Sequence, residues 1–92
     1  MVTKANTAAA WQVYLVRCAD DSLYCGITQN IEQRIRAHNE GKGAKYTRGR
    51  GPVTLAAASP AMSKADALRL EILVKKQPAV RKLATLEKGL VK

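Results

Sequence analysis

Aromatic residues are scarce in this chain: no phenylalanine, one tryptophan and three tyrosines among 92 residues. Cysteine is scarcer. Cys18 and Cys25 are too few for a disulfide framework and lack the paired spacing of a metal site. They read as buried thiols of a reducing compartment. No apolar run reaches the ~20 residues of a membrane-spanning helix. Residues 1–10, MVTKANTAAA, hold one lysine and no apolar stretch long enough for a secretory leader. A flexible N-terminal tail on a cytoplasmic protein is the expectation there. No internal repeat, low-complexity tract, linker or Gly-rich nucleotide fingerprint is found, which removes solenoids and dinucleotide-binding folds.

Acidic residues are also few, seven against sixteen lysines and arginines, for a formal net charge of +9. The excess is concentrated. Gly41–Gly51 carries Lys42, Lys45, Arg48 and Arg50 with no acid, and Lys75–Lys92 carries six cations against Glu87 alone; elsewhere the charges cancel. Two such patches point to a polyanionic partner, nucleic acid before membrane. An apolar content of 47% over this length supports one domain with little burial to spare.

The stretch VYLVRCADDSLYCG, Val13–Gly26, reads as two strands, Trp11–Arg17 and Leu23–Thr28, around the turn Ala19–Ser22. Alternation sets Val13, Leu15 and Arg17 on one face and Tyr14, Val16 and Cys18 on the other. Each strand carries a tyrosine, Tyr14 or Tyr24, on rigid backbone suited to a site. Gly26 follows, where backbone can approach a ligand closely. Asn30, with Gln33 three residues on, predicts a capped helix to Asn39, closed by a left-handed Gly41. Ile31, Ile35 and His38 share one face with Arg34 beside them, and Arg34 and His38, four residues apart, both sit at the edge of the buried stripe.

GKGAKYTRGRGP, residues 41–52, reads as a flexible cationic loop that can wrap phosphates through side chains and backbone N–H groups. Its Tyr46 either stacks on a base or packs over the loop. Val53–Ala58 is a third strand, ended by Pro60. Ser63 with Asp66 three residues on starts a helix to about Lys76, with Ala65, Leu68 and Ile72 as its apolar face and Glu71 next to it. A glutamate avoids such a place unless paired or metal-bound. Pro78 opens a last helix, Ala79–Lys88, with Val80, Leu83 and Leu86 or Leu90 inward and Gly89 closing it before a C-terminal tail, 89–92. The order strand–strand–helix–strand–helix–helix is that of an α+β domain, residues 11–88, whose small sheet is covered by helices.

Tyr14, Tyr24, Gly26, Arg34, His38 and Glu71, in this order and spacing, resemble the GIY-YIG endonuclease superfamily. Gln12-Val13-Tyr14 takes the place of its first motif and Tyr24-Cys25-Gly26 of its second. The chain looks closest to the small single-domain YhbQ-like branch, whose Lys-Gly-rich loop resembles residues 41–51. The resemblance covers about Trp11 to Leu83. It departs at Gln12, which replaces the first motif glycine, at Cys25, and in having no asparagine after Glu71. It implies a small three-stranded antiparallel sheet flanked by helices, and metal-dependent hydrolysis of a phosphodiester, DNA before RNA, selective for structure or for single strands and with little base specificity. The implied catalytic residues are Tyr14, Tyr24, Arg34, His38 and Glu71. Glu71 would hold Mg2+ or Mn2+, and Gly26, Lys42, Lys45, Tyr46, Arg48 and Arg50 would meet the substrate. Arg34 would lower the pKa of Tyr14.

A module that holds nucleic acid without cutting is the competing reading. It explains the charge but does not require Glu71 or two tyrosines. A basic ribosome-associated protein likewise explains the charge and not the site.

Overall fold

The computed structural model describes residues 10–91, with side chains through Glu87. Most of the expected N-terminal tail, residues 1–9, and Lys92 lie outside the described residues. Strands β1 (Gln12–Arg17), β2 (Leu23–Thr28) and β3 (Thr54–Ala58) form an antiparallel sheet of order β2-β1-β3. Helix α1 (Ile31–Asn39) joins β2 to the 41–52 loop, and α2 (Lys64–Lys75) and α3 (Ala79–Val91) follow β3. The fold is the expected three-stranded α+β arrangement.

The central strand is covered on both faces, and its alternation decides what covers it. Val13 and Leu15 pack with Ala67, Leu70 and Val74 of α2 and Leu86 of α3. Tyr14 and Val16 face the other way, with Cys18, Val53 and the α1 residues Ile31 and Ile35. A register shift between Leu15 and Val16 inserts one residue of β3, so Ala56 and Ala57 both border the helical side. Trp11 lies outside β1 proper, in an isolated bridge to Met62.

Local chemistry explains the helix ends. The Asn30 side chain accepts from Gln33 N–H, and Ser63 Oγ accepts from Asp66 N–H, each satisfying an otherwise unpaired donor. Helix α1 stops in a six-to-one turn: Lys42 N–H donates to Ala37 O and Gly41 N–H to His38 O, with Gly41 at φ +78°.

Four expectations are corrected. The inner face of α2 is Ala67, Leu70 and Val74; Ala65, Leu68 and Ile72 are exposed, because the helix carries apolar residues on every side and its packing on the sheet and α3 selects the face. Val80 points outward, while Leu83 and Leu86 point in. Gly89 does not end α3, whose backbone pairing continues to Val91; the Leu90 side chain is outside the described residues. The 41–52 loop is built rather than loose. Lys45–Thr47 forms a 3-10 turn, Asn39 Oδ1 accepts from Val53 N–H and its Nδ2 donates to Val53 O, and Ala19 N–H donates to Arg50 O.

Candidate active site

The face of the sheet turned toward α1 carries the candidate site. Tyr14 projects from β1 across its register partner Gly26, which has no side chain to block it. A Cβ at Gly26 would stand 2.6 Å from the Tyr14 hydroxyl oxygen. The space that a side chain at Gly26 would need is therefore taken by the Tyr14 hydroxyl and ring.

Helix α1 brings Arg34 and His38 to the same hydroxyl. Arg34 Nε donates to Tyr14 Oη at 3.3 Å, and Tyr14 Oη and His38 Nε2 are 2.9 Å apart. His38 is not at the edge of the buried stripe as expected but fully inside it, at 2% exposure. Its other nitrogen, Nδ1, is 2.8 Å from Thr47 Oγ1, and that hydroxyl is 2.9 Å from Ala44 O. A carbonyl only accepts, so the Thr47 proton points to Ala44. Nδ1 must then carry a hydrogen and donate to Thr47, which leaves Nε2 of a neutral imidazole as an acceptor. The bonds run one way on each side: Arg34 Nε–H to Tyr14, Tyr14 O–H to His38 Nε2, His38 Nδ1–H to Thr47, Thr47 O–H to Ala44.

The electrostatics agree with neutral partners. Burial and the Arg34 charge push the His38 pKa below the ordinary histidine value. Burial also raises the Tyr14 pKa above the ordinary phenol value; Arg34 pulls it down, as expected from the sequence, but desolvation wins. Tyr14 thus keeps its proton and aims it at His38.

Tyr24 completes the cluster from the edge strand, its ring centroid 6.4 Å from that of Tyr14 and 5.6 Å from that of His38. Tyr46 lies over Tyr24, 5.7 Å between centroids with 27° between planes. Arg50 lies on Tyr46, its guanidinium carbon 4.4 Å from the ring centroid, and pairs with Asp20 of the β1–β2 turn. Tyr46 thus stacks on Tyr24 while staying 41% exposed, and Arg50 is engaged, whereas Lys42, Lys45 and Arg48 are exposed.

Glu71 is on α2, which packs on the other side of the sheet, but it is not turned to solvent: its side chain is 16% exposed. It borders β2, where burial and the Glu71 charge push the Cys25 thiol up to about 11. Lys75, one turn on, links it to the cluster, with Nζ 3.1 Å from Glu71 Oε2 and 5.6 Å from the centroid of Tyr24. Burial pulls the Lys75 pKa down, yet the Glu71 carboxylate outweighs it and holds the ammonium charged. Among the described residues no three His, Cys, Asp or Glu side chains cluster. One half-buried carboxylate suits magnesium, which keeps several waters and takes oxygen from a substrate phosphate, and does not suit zinc. A solvent-open cavity of about 300 Å³ lies beside Trp11 and Gln33, with Arg34 on its wall.

Comparison with known proteins decides what this cluster belongs to. Residues 10–83 match the family described as the GIY-YIG catalytic domain. The chain belongs to the GIY-YIG family. A UPF0213 protein of Nitratidesulfovibrio vulgaris is 51% identical over 76 residues, covering 83% of this chain and 69% of that one. One from Neisseria meningitidis is 49% identical over 75 residues, 82% of each chain. The solution structure of a UPF0213 protein from Bacillus halodurans superimposes with a TM-score of 0.52 at 41% identity, covering 87% of this chain and 85% of that one. A solution structure from E. faecalis gives a TM-score of 0.58 at 31% identity, with 88% and 86% covered.

The two departures from the GIY-YIG motifs fall away from the phenol–imidazole cluster. The Gln12 amide donates to Ser59 O at 2.7 Å, and Cys25 is buried on the helical side. Sequence reasoning missed Gly43 and Thr47. A Cβ at Gly43 would overlap His38 Nδ1 and stand 2.9 Å from its Cα. The one signal for either was their membership of the Gly-rich loop, which gives no hint of contact with His38.

Proposed function

We propose that this GIY-YIG domain is a metal-dependent DNA endonuclease that selects single-stranded or branched substrates with little base specificity. The observation that carries the reading is the one-way hydrogen-bond path from Arg34 through Tyr14 to a neutral, buried His38. Phosphate binding alone requires none of it.

Arg34 reaches both the solvent-open cavity and Tyr14, and only its Nε is spent on the phenol. Its two terminal nitrogens form a fork that matches two phosphate oxygens. Tyr14 is 1% exposed, so Arg34 covers its remaining lone pair in the resting protein. A phosphate that draws the guanidinium away opens that lone pair to the attacking water. Tyr14 then takes a proton from the water while passing its own to His38 Nε2, and His38 becomes imidazolium with Nδ1–H still on Thr47. A phenol with a raised pKa can act this way because it need not exist as free phenolate. Tyr24, half-exposed beside them, holds the water or the phosphate. Glu71 would hold a magnesium or manganese ion, which supplies charge neutralisation at the leaving oxygen; Lys75 occupies that carboxylate here.

The test is incubation of purified protein with labelled single-stranded, duplex and branched DNA, in magnesium or in EDTA, beside Glu71→Ala. Cutting that needs both the ion and Glu71 supports the reading. Salt-sensitive binding of every substrate with no cutting would make the domain a binding module instead.

A further inference from the structure

We propose that Thr47, buried inside the cationic loop, is a positioning residue that fixes the tautomer of His38 by accepting its Nδ1 proton. The consequence for catalysis rests on the nuclease reading above; the tautomer itself does not.

Thr47 is 1% exposed, although it lies between the exposed cations Lys45 and Arg48. Its hydroxyl has one proton, committed to Ala44 O, and presents a lone pair to His38 Nδ1. Neutral histidine free in water favours the tautomer with the proton on Nε2. In that form Nε2 is a donor and cannot accept from Tyr14, so the path for the phenol proton is closed. The Thr47 lone pair reverses the preference by giving the Nδ1 proton a buried acceptor, where an unpaired N–H would be costly. Gly43 supports the same end from the other side of the loop. Its backbone lies so close to the imidazole that any side chain there would displace His38.

Thr47 touches neither the hydroxyl of Tyr14 nor the fork of Arg34 that would take a phosphate. It acts through His38, as outer hydrogen-bond partners orient the groups they hold. The loop therefore has two duties. Lys45 and Arg48 present charge to a polyanion, and the turn between them holds the base in its working form. Asn39 and Val53, paired behind the turn, and Arg50, paired with Asp20, seat that turn without help from substrate.

The experiment is nitrogen-15 NMR of the imidazole, which is unambiguous because His38 is the one histidine in the chain. The wild-type protein at neutral pH should show a protonated Nδ1 and a bare Nε2. Thr47→Val should shift the population toward Nε2–H and lower kcat on DNA by about 10–100-fold with little change in KM, the scale seen when outer-shell partners are removed. Thr47→Ser, which keeps the hydroxyl, should restore both. A wild-type protein with its proton on Nε2 overturns the proposal before any variant is made. So does a folded Thr47→Val that keeps Nδ1–H. If wild type shows the expected tautomer but cuts no DNA, the nuclease reading fails and the assignment of Thr47 stands.

Discussion

Two glycines make room for one hydrogen bond. Tyr14 can reach His38 because Gly26 leaves space under the phenol and Gly43 leaves space beside the imidazole. Gly26→Ala would drive a methyl into the Tyr14 ring, and overpacking of this kind costs about 1–3 kcal/mol. Denaturant unfolding should show that loss, smaller in a Tyr14→Ala background; an equal loss in both backgrounds would mean the ring is not the obstacle. The pH dependence belongs to the same pair. His38 has a folded pKa below its unfolded value of about 6.5, so the unfolded chain binds the proton more readily. Its contribution to stability is present above pH 6.5 and is lost as pH falls from there through the folded pKa. The melting temperature should drop below pH 6.5 in wild type and drop less in His38→Asn. DNA cutting should be lost only as pH falls through the folded pKa, below 6.5, since imidazolium at Nε2 cannot accept from Tyr14. An identical pH profile of melting in the two proteins would show that His38 is not the group responsible.

At the scale of elements, capping chemistry was legible and facing was not. Asn30, Ser63 and Gly41 act within a turn of their own positions, so the ends of α1 and the start of α2 could be read locally. Helix α2 offers apolar residues all around its circumference: Ala67, Leu68, Leu70, Ile72, Leu73 and Val74. Its own periodicity therefore does not choose a face; packing on β2 and α3 does. Leu70→Ala should cost about 2–5 kcal/mol, the range for a buried leucine, whereas Leu68→Ala and Ile72→Ala, exposed by 40% and 55%, should stay within about 1 kcal/mol. Equal losses at Leu68 and Leu70 in chemical denaturation would contradict the observed rotation. The basic C-terminal segment holds a similar surprise. Lys82 is no free surface cation: its ammonium donates to the carbonyls of Val74, Lys75 and Gln77 at the end of α2. There it satisfies acceptors that the helix leaves open and complements the helix dipole. Lys82→Met keeps the stem and removes the donor, and should destabilise by about 1 kcal/mol, while Lys76→Met should be near neutral. The comparison of melting temperatures decides it.

For the whole molecule, the question is which part of the +9 charge is available to a polyanion. The loop from Gly41 to Gly51 divides its cations. Arg50 is spent on Asp20 and Tyr46, while Lys42, Lys45 and Arg48 face solvent. Replacing Lys45 or Arg48 with Ala should flatten the dependence of log K on log salt by about 0.7–0.9 for each phosphate no longer neutralised. Arg50→Ala should change the slope less and loosen the loop instead. Titrations of a DNA oligonucleotide at several salt concentrations test this, and a slope change confined to Arg50 would move the DNA-binding surface elsewhere. The amino-acid sequence by itself determined the order of elements, the alternation that splits β1 between two cores, the caps, and the set of side chains from which the candidate site is drawn. Those signals are local: they act over a strand period or a helical turn. The tertiary structure alone decided the direction of each proton. Tyr14 and His38 are 24 residues apart, and His38 and Thr47 are nine apart. Which nitrogen accepts, and whether burial outweighs Arg34 at the phenol, depends on how closely those segments are packed and how much water they exclude.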